Sequence, residues 1–469
     1  MKASYFLLPF TFSSFNVDKE ILVNFVGDFL IVDKGTSKKI AEKKIKKNNK
    51  IYKDLVSNFI ICESNPLGLI DILSARYRTK KHFLEDFTSL HIFVLTLRCN
   101  QSCLYCQVSS TNSILSCYDI TYKNLKLAVE KMFMSPSHYL TMEFQGGEPL
   151  LVFERIKYAV ELAEQMNNEH KRNLRFVICS NGVLLNEEIL MFMKEHEIYL
   201  STSLDGPSFV HNKGRKYKGK DSYLSTIKGL ELAKNILGIE NISALMTTTS
   251  YSLKYPEDII VEYLHLGFNS IFLREINPYG FSINSTLAKY SSDDFFGFYK
   301  RAFEYILEIN KSGRIFIEDF AAIILRKILT PFSSCFVDMQ SPTGIISSVI
   351  VYNYDGYVYA SDESRMMAEK GEYFFRLGKI SDKYEEIFFN KKVKEIALHW
   401  TNECLAGCSD CCYQLYCGAD PVRNYMFMKD LEGFRPTSEF CNKNKKIIEY
   451  LIEKSLNPVN YRIFQDWLQ

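Results

Sequence analysis

The sequence predicts an α/β protein built on a partial (β/α)6 barrel, with a small α+β module on its amino-terminal side and a cysteine-bearing domain on its carboxyl-terminal side. Three observations carry that expectation. Six apolar runs are each separated by a segment of helix length. A C-x3-C-x2-C array follows the first of those runs, and a second group of cysteines lies beyond a long helical stretch. A chain of 469 residues suits two or three domains, and 47% hydrophobic with 14% aromatic residues excludes a disordered or fibrous protein. The net charge of +2 gives no overall attraction for nucleic acid or a membrane surface, so neither is expected as a partner.

The opening MKASYFLLPFTFSSF is broken by Pro9 and leads to no small-residue cleavage site, so it fails as a signal peptide and a cytoplasmic location is expected. No run reaches the roughly 18–20 apolar residues needed to span a bilayer. Thirteen cysteines in a reducing compartment are better read as metal ligands where they cluster than as a disulfide framework.

Residues 1–88 form the first module. ILVNF (21–25) and FLIV (29–32) read as strands joined across a Gly27-Asp28 turn, with helices following. Lys38, Lys39, Lys43, Lys44, Lys46, Lys47 and Lys50 are placed in the first of those helices, either as a solvated face or as a docking surface for an acidic peptide. From residue 89 the pattern becomes strand, loop, helix, repeated. The strands are HIFVLTL (91–97), LTMEF (140–144), LRFVICS (174–180), IYLSTSL (198–204), NISALMTT (241–248) and SIFLRE (270–275). Leu125, Val129, Met132 and Phe133 share one helical face between the first two. Right-handed crossovers curl such units into a partial barrel with its chemistry at the carboxyl ends of the strands. The core is expected over 89–330, the cysteine-bearing domain over 331–445 and a tail helix over 446–469, with no tandem repeat.

TLRCNQSCLYCQ puts Cys99, Cys103 and Cys106 on one short loop. Three thiolates can hold three irons of a 4Fe–4S cube and leave the fourth iron open. A zinc site or redox cysteines would also satisfy the spacing. Cys99, Cys103, Tyr105 and Cys106 resemble the signature loop of the radical S-adenosylmethionine (SAM) superfamily, whose barrel is TIM-like. The resemblance implies a 4Fe–4S cluster on the three cysteines, with SAM on the open iron and Tyr105 against its adenine. Gly146-Gly147-Glu148-Pro149 resembles the family motif that receives the SAM amino group, its glycines allowing close backbone approach. Ser180-Asn181-Gly182 and Ser203-Leu204-Asp205-Gly206-Pro207 resemble two further cofactor-facing turns. By resemblance, Ser180, Ser203 and Arg215 would contact the SAM ribose or carboxylate, a role that suits a guanidinium fork.

Cys408, Cys411 and Cys417, in C-x2-C-x5-C spacing, together with Cys441, resemble the SPASM extension of radical SAM peptide maturases. There, such residues bind an auxiliary 4Fe–4S cluster; four thiolates would close it, which suits electron transfer. Cys412 is assigned to packing. Cys335, ahead of Tyr354-Asp355-Gly356, stands where a second auxiliary cluster has its first ligand, but Ser361 replaces the next cysteine and the last is missing near Asp420-Pro421. Asp362 or Asp420 could substitute, or that cluster is lost. Cys404, Cys408 and Cys411 repeat the C-x3-C-x2-C spacing without a following Gly-Gly-Glu-Pro, so the match is read as coincidence. Cys62, Cys117 and Cys179 are read as small core residues.

Leu8-Pro9-Phe10, Gly27-Asp28-Phe29, FLREINPYG (272–280) and DESRM (362–366) look most like the His-Xaa-Ser-system radical SAM maturases. That resemblance implies reductive cleavage of SAM to methionine and a 5′-deoxyadenosyl radical, and oxidative modification, such as a cross-link, of a ribosomally made precursor peptide. It also implies an electron donor such as flavodoxin or ferredoxin. Residues 1–88 are expected to capture the precursor's leader by strand addition, or else only to cover the barrel. An anaerobic sulfatase-maturating type and a non-catalytic electron carrier or scaffold are the alternatives.

Overall fold

A computed structural model describes residues 5–112, 114–334 and 336–469. Its contacts divide the chain into two units that differ from the linear segments expected above. One gathers residues up to Leu84 with Ala321–Gly344 and Ala397–Gln469; the other holds Glu85–Phe320 and Ile345–Ile396.

In the first unit, β1 (Phe6–Leu7) precedes a three-stranded antiparallel sheet of β2 (Phe10–Ser14), β3 (Lys19–Asn24) and β4 (Phe29–Asp33). The hairpin between β3 and β4 turns where Gly27 takes φ +86. Asn24 Oδ1 accepts from Val26 N and Asp28 N, so the local sequence supplies the turn its own polar partners. β5 (Ile61–Cys62) returns to pair with β1. Only Lys38 and Lys39 of the lysine run lie on the first helix, Thr36–Ala41; Lys43 has φ +53 and the later lysines lie beyond it in turns and irregular backbone. The helix stops because Ile40 and Ile45 both join the core around Leu22, Val32 and Leu55. Residues five apart diverge by about 140° on a continuous helix.

The amino-terminal module does not stand alone. Tyr416 Oη donates to Gly27 O at 2.7 Å, and Tyr77 Oη and Lys81 Nζ both reach Glu403 at 2.6 Å. Residues of the cysteine-bearing region therefore complete its packing.

The second unit holds β6 (Leu90–Thr96), β7 (Tyr139–Gly146), β8 (Asn173–Ser180), β9 (Ile198–Ser203) and β10 (Ile242–Leu245), paired in parallel in chain order. β11 (Ser270–Ile271) pairs in parallel with β12 (Ile317–Glu318), and single parallel bridges Leu245–Phe272 and Thr248–Glu275 carry the next stretch along the edge of β10. Five of the six expected strands thus pair in the expected order, while the sixth, expected over 270–275, is a strand only at Ser270–Ile271. Between β6 and β7, the helix Tyr122–Phe133 buries Leu125, Val129, Met132 and Phe133 and is capped by Thr121.

The sequence did not reveal that β13 (Val349–Tyr352) joins the same sheet in parallel beside β6. It is followed antiparallel by β14 (Tyr357–Tyr359) and β15 (Arg376–Lys379). Val349, Ile350, Val351 and Tyr352 are all buried, as a central parallel strand requires. Tyr354-Asp355-Gly356 forms the β13–β14 turn, with Gly356 at φ +84. The stretch expected as one domain over 331–445 is thus shared between the two units. The tail contains two helices, Glu439–Ser455 and Pro458–Trp467. Among the described residues no helix is long and apolar enough to cross a membrane.

Candidate active site

The loop leaving β6 is clamped at several points. Arg98 pairs with Asp119 at 2.7 Å and Thr96 Oγ1 donates to the same carboxylate at 2.6 Å. Cys99 N donates to Thr111 O, Ser102 N to Lys216 O and Leu104 N to Gly214 O, while Gln101 Nε2 reaches Ser222 Oγ. This places Cys99, Cys103 and Cys106 on the wall of one cleft, together with Tyr105, Gly146, Gly147, Ser180, Ser203 and Arg215. The structure brings together every barrel residue singled out from the sequence except Glu148.

The donor set fits an iron–sulfur cube. Burial pushes the Cys103 thiol up to about 12, and raises Cys99 above its ordinary value, with Glu148 adding to the effect. Thiolates so disfavoured need a cationic core as counter-charge, which an iron–sulfur centre supplies.

The two glycines of the Gly-Gly-Glu-Pro turn have a more specific reason than ligand approach. A Cβ on Gly146 would lie 2.4 Å from Thr96 O, and one on Gly147 would lie 2.3 Å from Arg98 O. Gly147 N and Glu148 N donate to those same carbonyls at 2.8 Å. The turn is stitched directly onto the cysteine loop, and only glycine fits between. Glu148 is fully buried and accepts from Leu150 N, Ser180 Oγ and Asn181 N; burial lifts its carboxyl to about 7. Its carboxylate ties the end of β7 to the end of β8.

Arg215 is similarly committed. Its Nε and a terminal nitrogen both reach Asp205 at 3.1 Å, and Asp205 also accepts from Thr247 N and the Tyr105 hydroxyl. The guanidinium lies 5.6 Å from the Tyr105 ring centre. A Cβ on Gly214 would sit 2.4 Å from Tyr105 Cε1, so that glycine seats the ring. Asp205 was quoted within the fourth strand-end turn, but its buried position as the hub of this network was not foreseen.

Further residues line the cleft that sequence reasoning did not place there: Gln145, Asn181, Arg274, Asp362 and Met366. Arg365, 0% exposed, donates to Asp362 at 2.8 Å and to Gln145 at 3.4 Å. The two distinctive phrases containing Arg274 and DESRM were the available signal. Asp362 therefore lines the barrel cleft and pairs with Arg365, and Ser361 caps the helix Asp362–Ala368. Cys179, expected in the core, lines the cleft; Cys117 is exposed and Cys62 buried.

In the first unit Cys408, Cys411, Cys417 and Cys441 lie near enough for their charges to act on one another. Burial, with added repulsion from neighbouring thiolates, raises Cys411 and Cys441 and pushes Cys417 up to about 12, the last against the opposing charge of Lys327. Cys441 sits in the first turn of Glu439–Ser455, its N–H bound by the capping Ser438. Arg435 Nε lies 2.9 Å from Cys408 Sγ. Cys412 is buried and Cys404 exposed. Asp420 caps the helix Pro421–Met428 through Arg423 N. Cys335 lies outside the described residues.

A parallel partial barrel whose first strand runs into a three-cysteine loop, facing glycine backbone, serine hydroxyls and a guanidinium, is the architecture of an α/β enzyme built around an iron–sulfur cluster and a small polar cofactor. Residues 93–262 match the Radical SAM superfamily, so the chain carries a radical SAM domain, the domain of radical SAM enzymes. A domain of that family implies a 4Fe–4S cluster and SAM.

An uncharacterized protein of Methanocaldococcus jannaschii is 32% identical over 190 residues, 40% of this chain and 62% of that one. A cysteine-type anaerobic sulfatase-maturating enzyme of Clostridium perfringens is 25% identical over 387 residues, 77% of this chain and 95% of that one. The native anSMEcpe structure with bound AdoMet superposes with TM-score 0.64 at 21% identity, covering 80% of this chain and 100% of that one. Streptococcus suis SuiB bound to precursor peptide SuiA superposes with TM-score 0.54 at 13% identity, covering 93% and 99%. Both share the fold.

Proposed function

We propose that this chain is a peptide maturase that oxidatively modifies, by cross-linking, a ribosomally made precursor peptide. The observation that carries the reading is the gathering of Cys408, Cys411, Cys417 and Cys441 into a second site within a radical SAM enzyme. Relatives of similar architecture support a peptide substrate: SuiB has been crystallised with its precursor peptide, and anSMEcpe with the Cp18Cys peptide.

Cys99, Cys103 and Cys106 would hold the cluster, with SAM beside it, and the pair would supply one-electron reductive cleavage chemistry there. The chain's own residues prepare that site. Gly146 and Gly147 join the strand ends to the cysteine loop, while Asp205 fixes Tyr105 and Arg215 on the cleft wall. Ser203 lines the cleft, the Ser180 hydroxyl is held between Glu148 and Gly182 N, and Met366 supplies an apolar wall. Cys408, Cys411, Cys417 and Cys441 would hold an auxiliary cluster with no iron left open, which would suit it to take up an electron in a net oxidation.

Mass spectrometry of a neighbouring precursor peptide, co-expressed with and without the enzyme under anaerobic conditions, tests the reading. A mass loss of about two hydrogens is expected for a cross-link; an unmodified peptide overturns it. The second reading is formylglycine formation on a Cys or Ser, favoured by similarity to the sulfatase-maturating enzyme along 77% of this chain. A sulfatase-derived peptide converted to an aldehyde would decide for it.

A further inference from the structure

A 4Fe–4S core held by four thiolates carries roughly two negative charges in its resting state, and burying such an anion calls for cations or donors aimed at its sulfurs. The site around Cys408, Cys411, Cys417 and Cys441 has both. Arg435 Nε donates to Cys408 Sγ at 2.9 Å. Its place is built into the chain. Gly407, next to Cys408, has φ +74, and a Cβ there would lie 3.2 Å from Arg435 Cγ, so the glycine leaves room for the arginine stem. Arg435 O accepts from Ser438 N at 3.1 Å, and Ser438 caps the helix carrying Cys441. The arginine therefore links the two segments that bring the thiols together. Among the described residues it forms no ion pair with a carboxylate, so its charge faces the sulfur uncompensated. Lys327, 8% exposed, donates to Met339 O at 2.5 Å and to Cys417 O at 2.7 Å, which fixes its amine beside another ligand; burial lowers that amine to about 7, so Arg435 supplies the permanent charge and Lys327 a donor and a partial charge.

We propose that Arg435, assisted by Lys327, is a positioning residue that raises the reduction potential of the cluster on Cys408, Cys411, Cys417 and Cys441. The proposal rests on the auxiliary cluster proposed above. Adding one electron adds one negative charge, and a fixed cation with an N–H directed at a ligand sulfur stabilises that reduced state over the oxidised one. The cluster becomes a better electron acceptor without any change of ligand.

The test uses full-length protein carrying Cys99→Ala, Cys103→Ala and Cys106→Ala, in which the auxiliary cluster is the one expected to remain. Its midpoint is read by dithionite titration followed by electron paramagnetic resonance, with iron counted in parallel. Arg435→Leu should move the midpoint to a more negative value at unchanged iron content. Arg435→Lys, which keeps the charge but loses the Nε donor, should give a smaller shift in the same direction and decides the matter if the leucine variant fails to hold iron. Midpoints that stay put in an iron-replete variant overturn the tuning role. Absence of a cluster from the parent triple variant overturns instead the reading on which the proposal stands.

Discussion

The cysteines of the barrel and those of the first unit differ in number and in what surrounds them. Cys99, Cys103 and Cys106 occupy a loop pinned by its backbone, and their thiols open on a cleft walled by glycine, serine and arginine. Cys408, Cys411, Cys417 and Cys441 come from two segments joined through Arg435 and Ser438, with basic groups beside their sulfurs. On the proposed reading the same thiol chemistry serves two purposes. A ligand set one short, next to a cleft, makes room for a cofactor; a complete set with cations behind it holds charge. Ligand count and access, rather than ligand type, separate a site of bond cleavage from one of electron storage.

Removing each set in turn should separate them. Alanine at Cys99, Cys103 and Cys106 should reduce 5′-deoxyadenosine formation to the level of an enzyme-free control and lower iron from about eight to about four per chain, one cube of four being lost. Alanine at Cys408, Cys411, Cys417 and Cys441 should lose the same amount of iron yet retain SAM cleavage. Cleavage that survives the first replacement would refute the assignment of the barrel triad.

Next in size is the hub beneath the cleft wall. Asp205→Asn leaves the guanidinium of Arg215, whose side chain is 11% exposed, without its counter-charge. Breaking one partner of such a buried pair costs about 3–5 kcal/mol. Denaturant unfolding should register that loss, and calorimetry should show weakened SAM binding. Unchanged stability would mean that solvent, rather than Asp205, balances Arg215.

Glu148 adds a pH signature that the proposed auxiliary site should lack. Its carboxyl rises from 4.5 to about 7 because burial disfavours the charge. A carboxyl raised on folding binds its proton more tightly in the native state, so its contribution is complete below about pH 4.5 and is lost as pH climbs through 7. The span amounts to about 3 kcal/mol. Glu148→Gln should flatten the fall in unfolding free energy across that window, and an unaltered slope would remove Glu148 as its source.

Smaller effects are expected on the surface. Lys44 pairs with Glu42 and Lys47 with Glu63, both exposed. If residues 1–88 capture an acidic leader, reversing charge at Lys43, Lys44, Lys46 and Lys47 should weaken peptide binding by a few-fold, with the difference vanishing at high salt, as anisotropy titrations would show. The smallest effect belongs to Cys404→Ser. That thiol is exposed, although it completes the same spacing as the barrel triad, and iron content should not change.

The sequence was informative wherever the signal is local. Alternation and run length located β6 to β10, the cysteine spacing located both thiol sets, and the turn residues at strand ends located the cleft wall. Side chains that repeat every two or 3.6 residues report the backbone they sit on, so these features required no knowledge of distant contacts. Pairing between distant segments was a different matter. VIVY at 349–352 reads as a buried strand, yet nothing in it says that its partner is β6, more than 250 residues earlier, or that the following DESRM segment then brings Asp362 and Met366 into the barrel cleft. Residues 1–88 read as a separate module because strand and turn signals cannot show that Tyr416 closes on Gly27. Glu148 and Arg215 were legible as important but not as spoken for, since a buried charge takes whichever partner the fold brings to it. The amino-acid order determined the elements and the thiol chemistry; which elements meet, and which polar groups are left facing the cleft, was decided by long-range packing.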